Sequence, residues 1–402
     1  MRKRVVVRTV VPAVLGVLAV AGCGGSSSGG STGSGGGDKT YTIAYQGPLS
    51  GGNAALGINM VNGVTLAVDQ ANAKGDLPFK LEVTKADDQG SGDGSPPAAR
   101  KLIGNDNVVA VVGPAFSGAS AAAGDLYGKA NLLAVTPSAT LPDLTDQGFP
   151  TFYRAVADDN AQGPPDAKYL INTVKAKSIY LVDDTTDYGV GLSKAFKDEV
   201  GKLGAKLAGE DSAPQTSTCI PGATGSTSQY SGIASKVKGS GADSLFYAGY
   251  YCDFALLAKA LRNAGFQGQL MSGDGSEDQK YVDGAGAANA EGTLLSCQCS
   301  DIASNPDGKQ FVSDYKAKFG VDPGAYSAEA FDVTNAVIDV MKGLDTIDRG
   351  SLVDAFGSVD YQGLTKEIKF GSDHNLEVQT AFLYKVKSGK IEYVGDLTDL
   401  TA

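Results

Sequence analysis

The chain has no tryptophan, one histidine, four methionines and five cysteines among its 402 residues. Each scarcity removes a kind of chemistry. A lone histidine, His374, cannot supply the paired imidazoles of a histidine-based metal site, and any serine–histidine relay would have to be built on that one residue. Without tryptophan, an aromatic wall has to come mainly from tyrosine, of which there are 17. Basic residues are short as well: 34 Lys and Arg stand against 45 Asp and Glu, a formal charge of −11. Arg2, Lys3, Arg4 and Arg8 belong to the first eight residues, so 34 less these four leaves 30 against 45 for the remainder. That balance argues against a nucleic acid partner, whose phosphates need the opposite sign. What is present, 42% hydrophobic and 20% charged residues, is a globular composition with length for two domains.

The four early bases precede an apolar run, Val10 to Ala21, broken by Pro12 and Gly16. The run is too short to cross roughly 30 Å of hydrocarbon as a helix, which makes residues 1–22 a cleavable signal peptide. Val20-Ala21-Gly22-Cys23 resembles a bacterial lipobox, and that resemblance implies a lipid on Cys23 after cleavage. Residues 24–37 are all Gly, Ser or Thr, a composition that buries no apolar area and acts as a flexible coil, so residues 23–38 read as a tether.

From Lys39 onward short apolar runs alternate with helical stretches. Expected strands are Thr40 to Tyr45, Lys80 to Thr84, the continuous apolar Val108 to Val112, and Leu132 to Val135, with helices over Leu56 to Ala73 and after Ser117. The alternation restarts at Ser178 to Val182 and continues through helix Gly191 to Leu203, helix Phe254 to Asn263 and strand Gln269 to Met271. Such spacing predicts an α/β fold of βαβ units, and two doubly wound parallel sheets fit the length. Two helices, Gly308 to Phe319 and Ala328 to Met341, and a hairpin around Ser388-Gly389 complete the pattern.

Tyr41-Thr42-Ile43-Ala44-Tyr45-Gln46-Gly47-Pro48-Leu49-Ser50-Gly51 resembles the opening of the type I periplasmic binding proteins that serve branched-chain amino acid ABC importers. Val111-Val112-Gly113 with Ser117, Val135-Thr136-Pro137-Ser138-Ala139-Thr140, Asp187-Tyr188-Gly189, Tyr247-Ala248-Gly249-Tyr250 and Ser272-Gly273-Asp274-Gly275 continue that resemblance in order. It covers Lys39 to about Gly395. It implies two α/β lobes joined by three crossovers near Asp158, Cys297 and Val378, with ligand bound between them. Lobe 1 would comprise residues 39–158 and 298–378, and lobe 2 residues 159–297 and 379–402. It also implies an amino acid ligand, permease subunits as partners, a monomer and no cofactor.

A free amino acid is a zwitterion, so burying it requires donors for its carboxylate and acceptors for its ammonium. Ser117 opens a small-residue helix, at the positive end of its dipole. The resemblance implies that Ser117, with Ser138, Ala139 and Thr140, holds the carboxylate. Taken by themselves, Ser117 and Thr140 read first as an N-cap and a turn residue. Asp274, between glycines, resembles the family's ammonium acceptor. Tyr188, Tyr250 and Tyr326 correspond to aromatic positions of the family cleft, and Leu56 stands where the family often has an aromatic residue.

Beyond Cys23, the exported chain has Cys219, Cys252, Cys297 and Cys299, an even number that suggests disulfides. Cys219 with Cys252 is the favoured pair, leaving Cys297 with Cys299 in a strained Cys-x-Cys bridge. The family's usual bridge in the first lobe is absent, since Phe116 occupies one of its positions. The leading function is therefore a lipid-anchored receptor for a branched-chain or other neutral amino acid. A receptor for an amide, urea or an aromatic acid is the runner-up, and a hydrolase comes third because no motif sets His374 beside a nucleophile. If Cys23 carries the lipid, Cys23→Ser should move the protein from the membrane to the soluble fraction, since 24–402 contains no other evident anchor; a variant that still sediments with membranes would reject this.

Overall fold

The computed structural model describes residues 39–216 and 228–402. The expected signal peptide 1–22, the expected tether 23–38 with Cys23, and Cys219 lie outside the described residues. Among the described residues no helix is long and apolar enough to cross a membrane.

Two sheets organise the chain. The first is wholly parallel and uses β1 (Thr40–Gly47), β2 (Lys80–Asp87), β3 (Val108–Val112), β4 (Leu133–Thr136) and β5 (Phe152–Arg154) in the order β2-β1-β3-β4-β5. Its crossovers contain α1 (Ala54–Lys74), α2 (Ser95–Ile103) and α3 (Ser117–Lys129). All five side chains of β3, Val-Val-Ala-Val-Val, are buried, as expected for a central parallel strand with both faces covered.

The second sheet is mixed, in the order β14-β13-β10-β9-β8-β6-β7. Its parallel part consists of β6 (Ile179–Asp183), β7 (Leu207–Ser212), β8 (Ser244–Ala248), β9 (Gln269–Ser272) and β10 (Leu294–Cys297). A small antiparallel pair, β11 (Asp360–Gln362) with β12 (Glu367–Lys369), stands apart from both sheets. The hairpin of β13 (Phe382–Lys387) and β14 (Lys390–Asp396) adds antiparallel to β10, so the chain's last strands return to the second sheet. The helices associated with this sheet are α4 (Gly163–Lys168), α5 (Asp187–Lys202), α6 (Ser228–Ser240), α7 (Tyr251–Asn263), α8 (Gln279–Ala285) and α9 (Ala287–Ala290). The last three helices, α10 (Lys309–Phe319), α11 (Ser327–Lys342) and α12 (Arg349–Phe356), follow β10 but pack on the first half, α11 lying along α1. That crossing is close because Gly63 has no side chain: a Cβ there would stand 2.1 Å from the Ser327 carbonyl oxygen.

Most expected elements recur with boundaries moved by one to three residues. Helix α5 differs more, beginning at Asp187 instead of Gly191, because the Thr186 side chain caps it by accepting from the Gly189 amide at 3.0 Å. The earlier start brings Tyr188 into the first helical turn. Strand β5 and helices α4, α8 and α12 were not anticipated; they are short, and α4 opens on Pro164 and Pro165, residues that read as a break when no cap precedes them.

The edge of the first sheet is joined to the 370s by Arg154, which is 0% exposed. Its guanidinium donates to the Asn375 side-chain oxygen through Nε at 2.9 Å and Nη2 at 2.6 Å, and to the carbonyls of Leu141 and Pro142. Asp158 lies 3.6 Å away and supplies the opposite charge. His374 serves the same junction: its Nδ1 sits 2.9 Å from the Phe152 carbonyl and its ring stacks on Tyr153 at 4.1 Å. Removing this buried cation leaves several acceptors without donors, so Arg154→Met should cost about 3 kcal/mol or more of unfolding free energy in urea titrations. A loss below about 1 kcal/mol would show that the guanidinium is dispensable to the junction.

Candidate functional site

Where the two sheet layers meet, Leu56, Phe116, Ser117, Ser138, Tyr188, Tyr250, Asp274, Gly275 and Tyr326 surround a cavity of about 10 Å³, room for roughly one water. Seven of the nine residues singled out for binding are brought together here. The other two lie beside it: Ala139 and Thr140 are fully buried behind Ser138, Ala139 within the apolar cluster under the first sheet. Phe116 and Gly275 belong to the lining and were not anticipated, although each is a sequence neighbour of a predicted residue.

The two sides differ in chemistry. On the first-sheet side, strands β3 and β4 end side by side, and the loops leaving them carry Phe116-Ser117 and Ser138. Ser117 is the first residue of α3, whose N-terminus has no side-chain cap. The Ser117 hydroxyl accepts from the Leu141 amide at 3.2 Å and keeps its own proton to donate. The expectation that the backbone around Ser138 offers donors meets competition, because the Thr136 hydroxyl already accepts from the amides of Ser138 at 3.4 Å and Ala139 at 3.0 Å. The Ser138 hydroxyl donates to the Ala115 carbonyl at 2.6 Å. The Thr140 hydroxyl, by contrast, is buried with no hydrogen-bond partner.

The second-sheet side centres on Asp274, at the end of β9 and 3% exposed. Tyr188 Oη donates to its Oδ1 and Tyr326 Oη to its Oδ2, both at 2.8 Å. Tyr188 also accepts from the Gly275 amide at 3.0 Å. Tyr326 reaches Asp274 from a left-handed backbone conformation, φ 62°, just before α11, a position that costs energy for a residue with a Cβ. Burial raises the Asp274 carboxyl to about 6, against the lowering effect of the two phenols. Burial and the Asp274 charge hold both phenols well above their usual range, so they remain proton donors.

Two more carboxyls lie close by. Asp159 and Asp166 are 0% exposed and pushed well above the usual carboxylate range, by burial first and then by Asp274 among other charges. Neither Asp159 oxygen has a hydrogen-bond partner. The Arg154 guanidinium offsets part of the Asp159 charge, but the buried acids around Asp274 still make the cavity favourable to an ammonium and hostile to an unpaired anion, save on the Ser117 side. His374 is held by Phe152 and Tyr153 at the edge of the first sheet, and is not among the residues of the cavity wall.

At the end of β10, Cys297 is bonded to Cys299. Cys252, in α7, is also disulfide-bonded; its proposed partner Cys219 is outside the described residues. Among the described residues the one group of possible metal ligands is Glu277 with Cys297 and Cys299, whose thiols are consumed by that bond.

Two α/β layers enclosing a small cavity with a buried carboxyl on one side are the architecture of a solute-binding protein. The Periplasmic binding protein family model matches residues 40–390. A Leu/Ile/Val-binding protein of Rhizobium johnstonii is 29% identical over 357 residues, covering 87% of this chain and 92% of that one. A Leu/Ile/Val-binding protein homolog of Brucella melitensis is 31% identical over 302 residues, covering 75% and 77%. Among solved structures, the branched-chain amino acid transporter substrate binding protein of Streptococcus pneumoniae, in complex with isoleucine, superposes with a TM-score of 0.79 at 28% identity, covering 89% of this chain and 100% of that one. The chain belongs to the periplasmic binding protein family, in the type I fold and among the substrate-binding proteins of branched-chain amino acid ABC transporters.

The raised Asp274 carboxyl has a consequence for stability. Its value of about 6 in the folded protein compares with about 3.9 in an unfolded chain, so folding favours the neutral form. Its contribution is full below about pH 4 and is lost as pH rises through about 6. Asp274→Asn, neutral throughout, should gain on wild type by on the order of 3 kcal/mol between pH 4 and pH 7. Melting curves without ligand measure this, and a mutant-minus-wild-type difference that stays flat over the range would contradict it.

Proposed function

We propose that this protein captures a neutral amino acid between its two lobes and delivers it to an ABC permease, while a lipid on Cys23 tethers it outside the cytoplasm. The observation that carries this reading is the Asp274 carboxylate gripped by Tyr188 and Tyr326, facing an uncapped helix start at Ser117 across the cavity. The two ends match the two ends of a zwitterion. The ammonium would replace water at Asp274, which supplies the charge, while the phenols fix the carboxylate's orientation. The carboxylate would take the Ser117 hydroxyl, the Thr140 hydroxyl and the first amides of α3, with the helix dipole helping. The relatives named for leucine, isoleucine and valine support a neutral side chain. An amide or aromatic acid would leave the ammonium end unanswered, with Asp274 buried and unpaired.

Lobe 1 in this reading is residues 39–158 and 298–378, and lobe 2 is 159–297 and 379–402. The protein acts as a monomer, needs no cofactor and returns its ligand chemically unchanged. Closing the lobes removes water from the ammonium, so the countercharge at Asp274 matters most in the bound state. Asp274→Asn keeps the shape and removes the charge. By isothermal titration at pH 7 its affinity for the bound amino acid should fall about 30-fold or more, corresponding to about 2 to 5 kcal/mol. A change of less than about threefold would reject Asp274 as the ammonium partner.

A further inference from the structure

Phe116 stands in the cavity wall immediately before Ser117, and its ring stacks on Tyr250 from the opposite layer, with centroids 4.4 Å apart and planes 23° from parallel. Each ring is 5% exposed. Neither can easily retreat. Behind Phe116 lies Gly90, where a Cβ would come within 2.7 Å of the ring, and the Gly90 amide is held by Asp88 Oδ1 at 2.9 Å. Tyr250 is backed by the Tyr188 ring, 5.1 Å away, and by Gly275, where a Cβ would sit 3.1 Å from the Tyr250 ring. The third apolar wall, Leu56, is 1% exposed.

The separation of the two layers is set next to this stack by direct hydrogen bonds. Tyr251 Oη donates to the Gly52 carbonyl at 2.6 Å and accepts from the Ala55 amide at 3.3 Å. Asn59, also on α1, donates to Asp278 at 3.3 Å. A side chain thick enough to part the two rings would pull these contacts open and expose both rings. A ligand that leaves the rings together keeps them.

Resting on the zwitterion reading above, we propose that Phe116 is the specificity-determining residue of this site, and that it restricts the ligand to amino acids with short side chains: glycine, alanine and serine. The polar ends of the cavity accept the groups every amino acid shares. The Phe116–Tyr250 stack occupies the space where a longer side chain would extend, so each added carbon competes with a ring–ring contact already made. Selection is therefore by length, and a leucine has to displace more of the stack than an alanine does.

Isothermal titration of the mature protein with glycine, alanine, serine, leucine, isoleucine and phenylalanine, with benzoate and acetamide alongside, tests this. The short amino acids should bind at least tenfold more tightly than leucine. Phe116→Ala should improve leucine at least tenfold relative to alanine, and Phe116→Leu, which keeps the wall filled if the alanine variant folds poorly, should shift the ratio in the same direction by less. Wild-type protein that binds leucine, isoleucine or phenylalanine as tightly as alanine would overturn the role of Phe116 while leaving the amino acid reading intact. Binding of benzoate or acetamide with no amino acid bound would overturn both.

Discussion

The arrangement depends on a charge that is costly to bury. Asp274 is taken out of water and held chiefly by two phenols, with Gln162 adding to them, so its ionised form is poorly compensated. The same cost explains why the residues around it are as they are. Tyr188 comes from the first turn of α5, and Tyr326 from a left-handed residue at the start of α11. Helix α11 is itself packed along α1 of the other half, so the two phenols approach one carboxylate from elements associated with different sheets. A cavity assembled this way is complete only when the layers are together, which suits the capture-and-release role proposed above.

Arg154 ties the edge of the first sheet to the returning 370s, and the β13–β14 hairpin then joins the second sheet through β10. Each half is thereby anchored by segments distant in sequence. The contacts that cross between the halves include the Phe116–Tyr250 stack, the Tyr326–Asp274 hydrogen bond, and the polar pairs Tyr251 with Gly52 and Ala55 and Asn59 with Asp278. Exposed to water on opening, the polar pairs exchange one set of hydrogen bonds for another at little net cost.

Much of the fold was legible in the residues. Continuous apolar strands such as Val108–Val112, separated by helix-length stretches, announce parallel βαβ units because both faces of such strands must be covered. The cavity residues were legible for a different reason: Ser117, Ser138, Tyr188, Tyr250 and Asp274 were picked out by the resemblance to the periplasmic binding proteins, and they lie where strands end or helices open. Short pieces such as β5, α8 and α12 carry too few residues for a period to emerge, and the early start of α5 depended on a single cap at Thr186.

The sequence by itself determined the class of architecture and the acidic balance, because these follow from local pattern and from residue chemistry, and the family resemblance picked out most of the polar groups that meet in the cavity. Only the tertiary structure decided which of those groups are free. It showed the amides of Ser138 and Ala139 engaged by Thr136, and the oxygens of Thr140 and Asp159 left without partners. It also decided that Phe116 lies flat against Tyr250, a contact between residues 134 positions apart whose rings meet only when the two halves are packed together. Hydrogen-bond competition and ring packing depend on distances across the fold, and no local pattern encodes them.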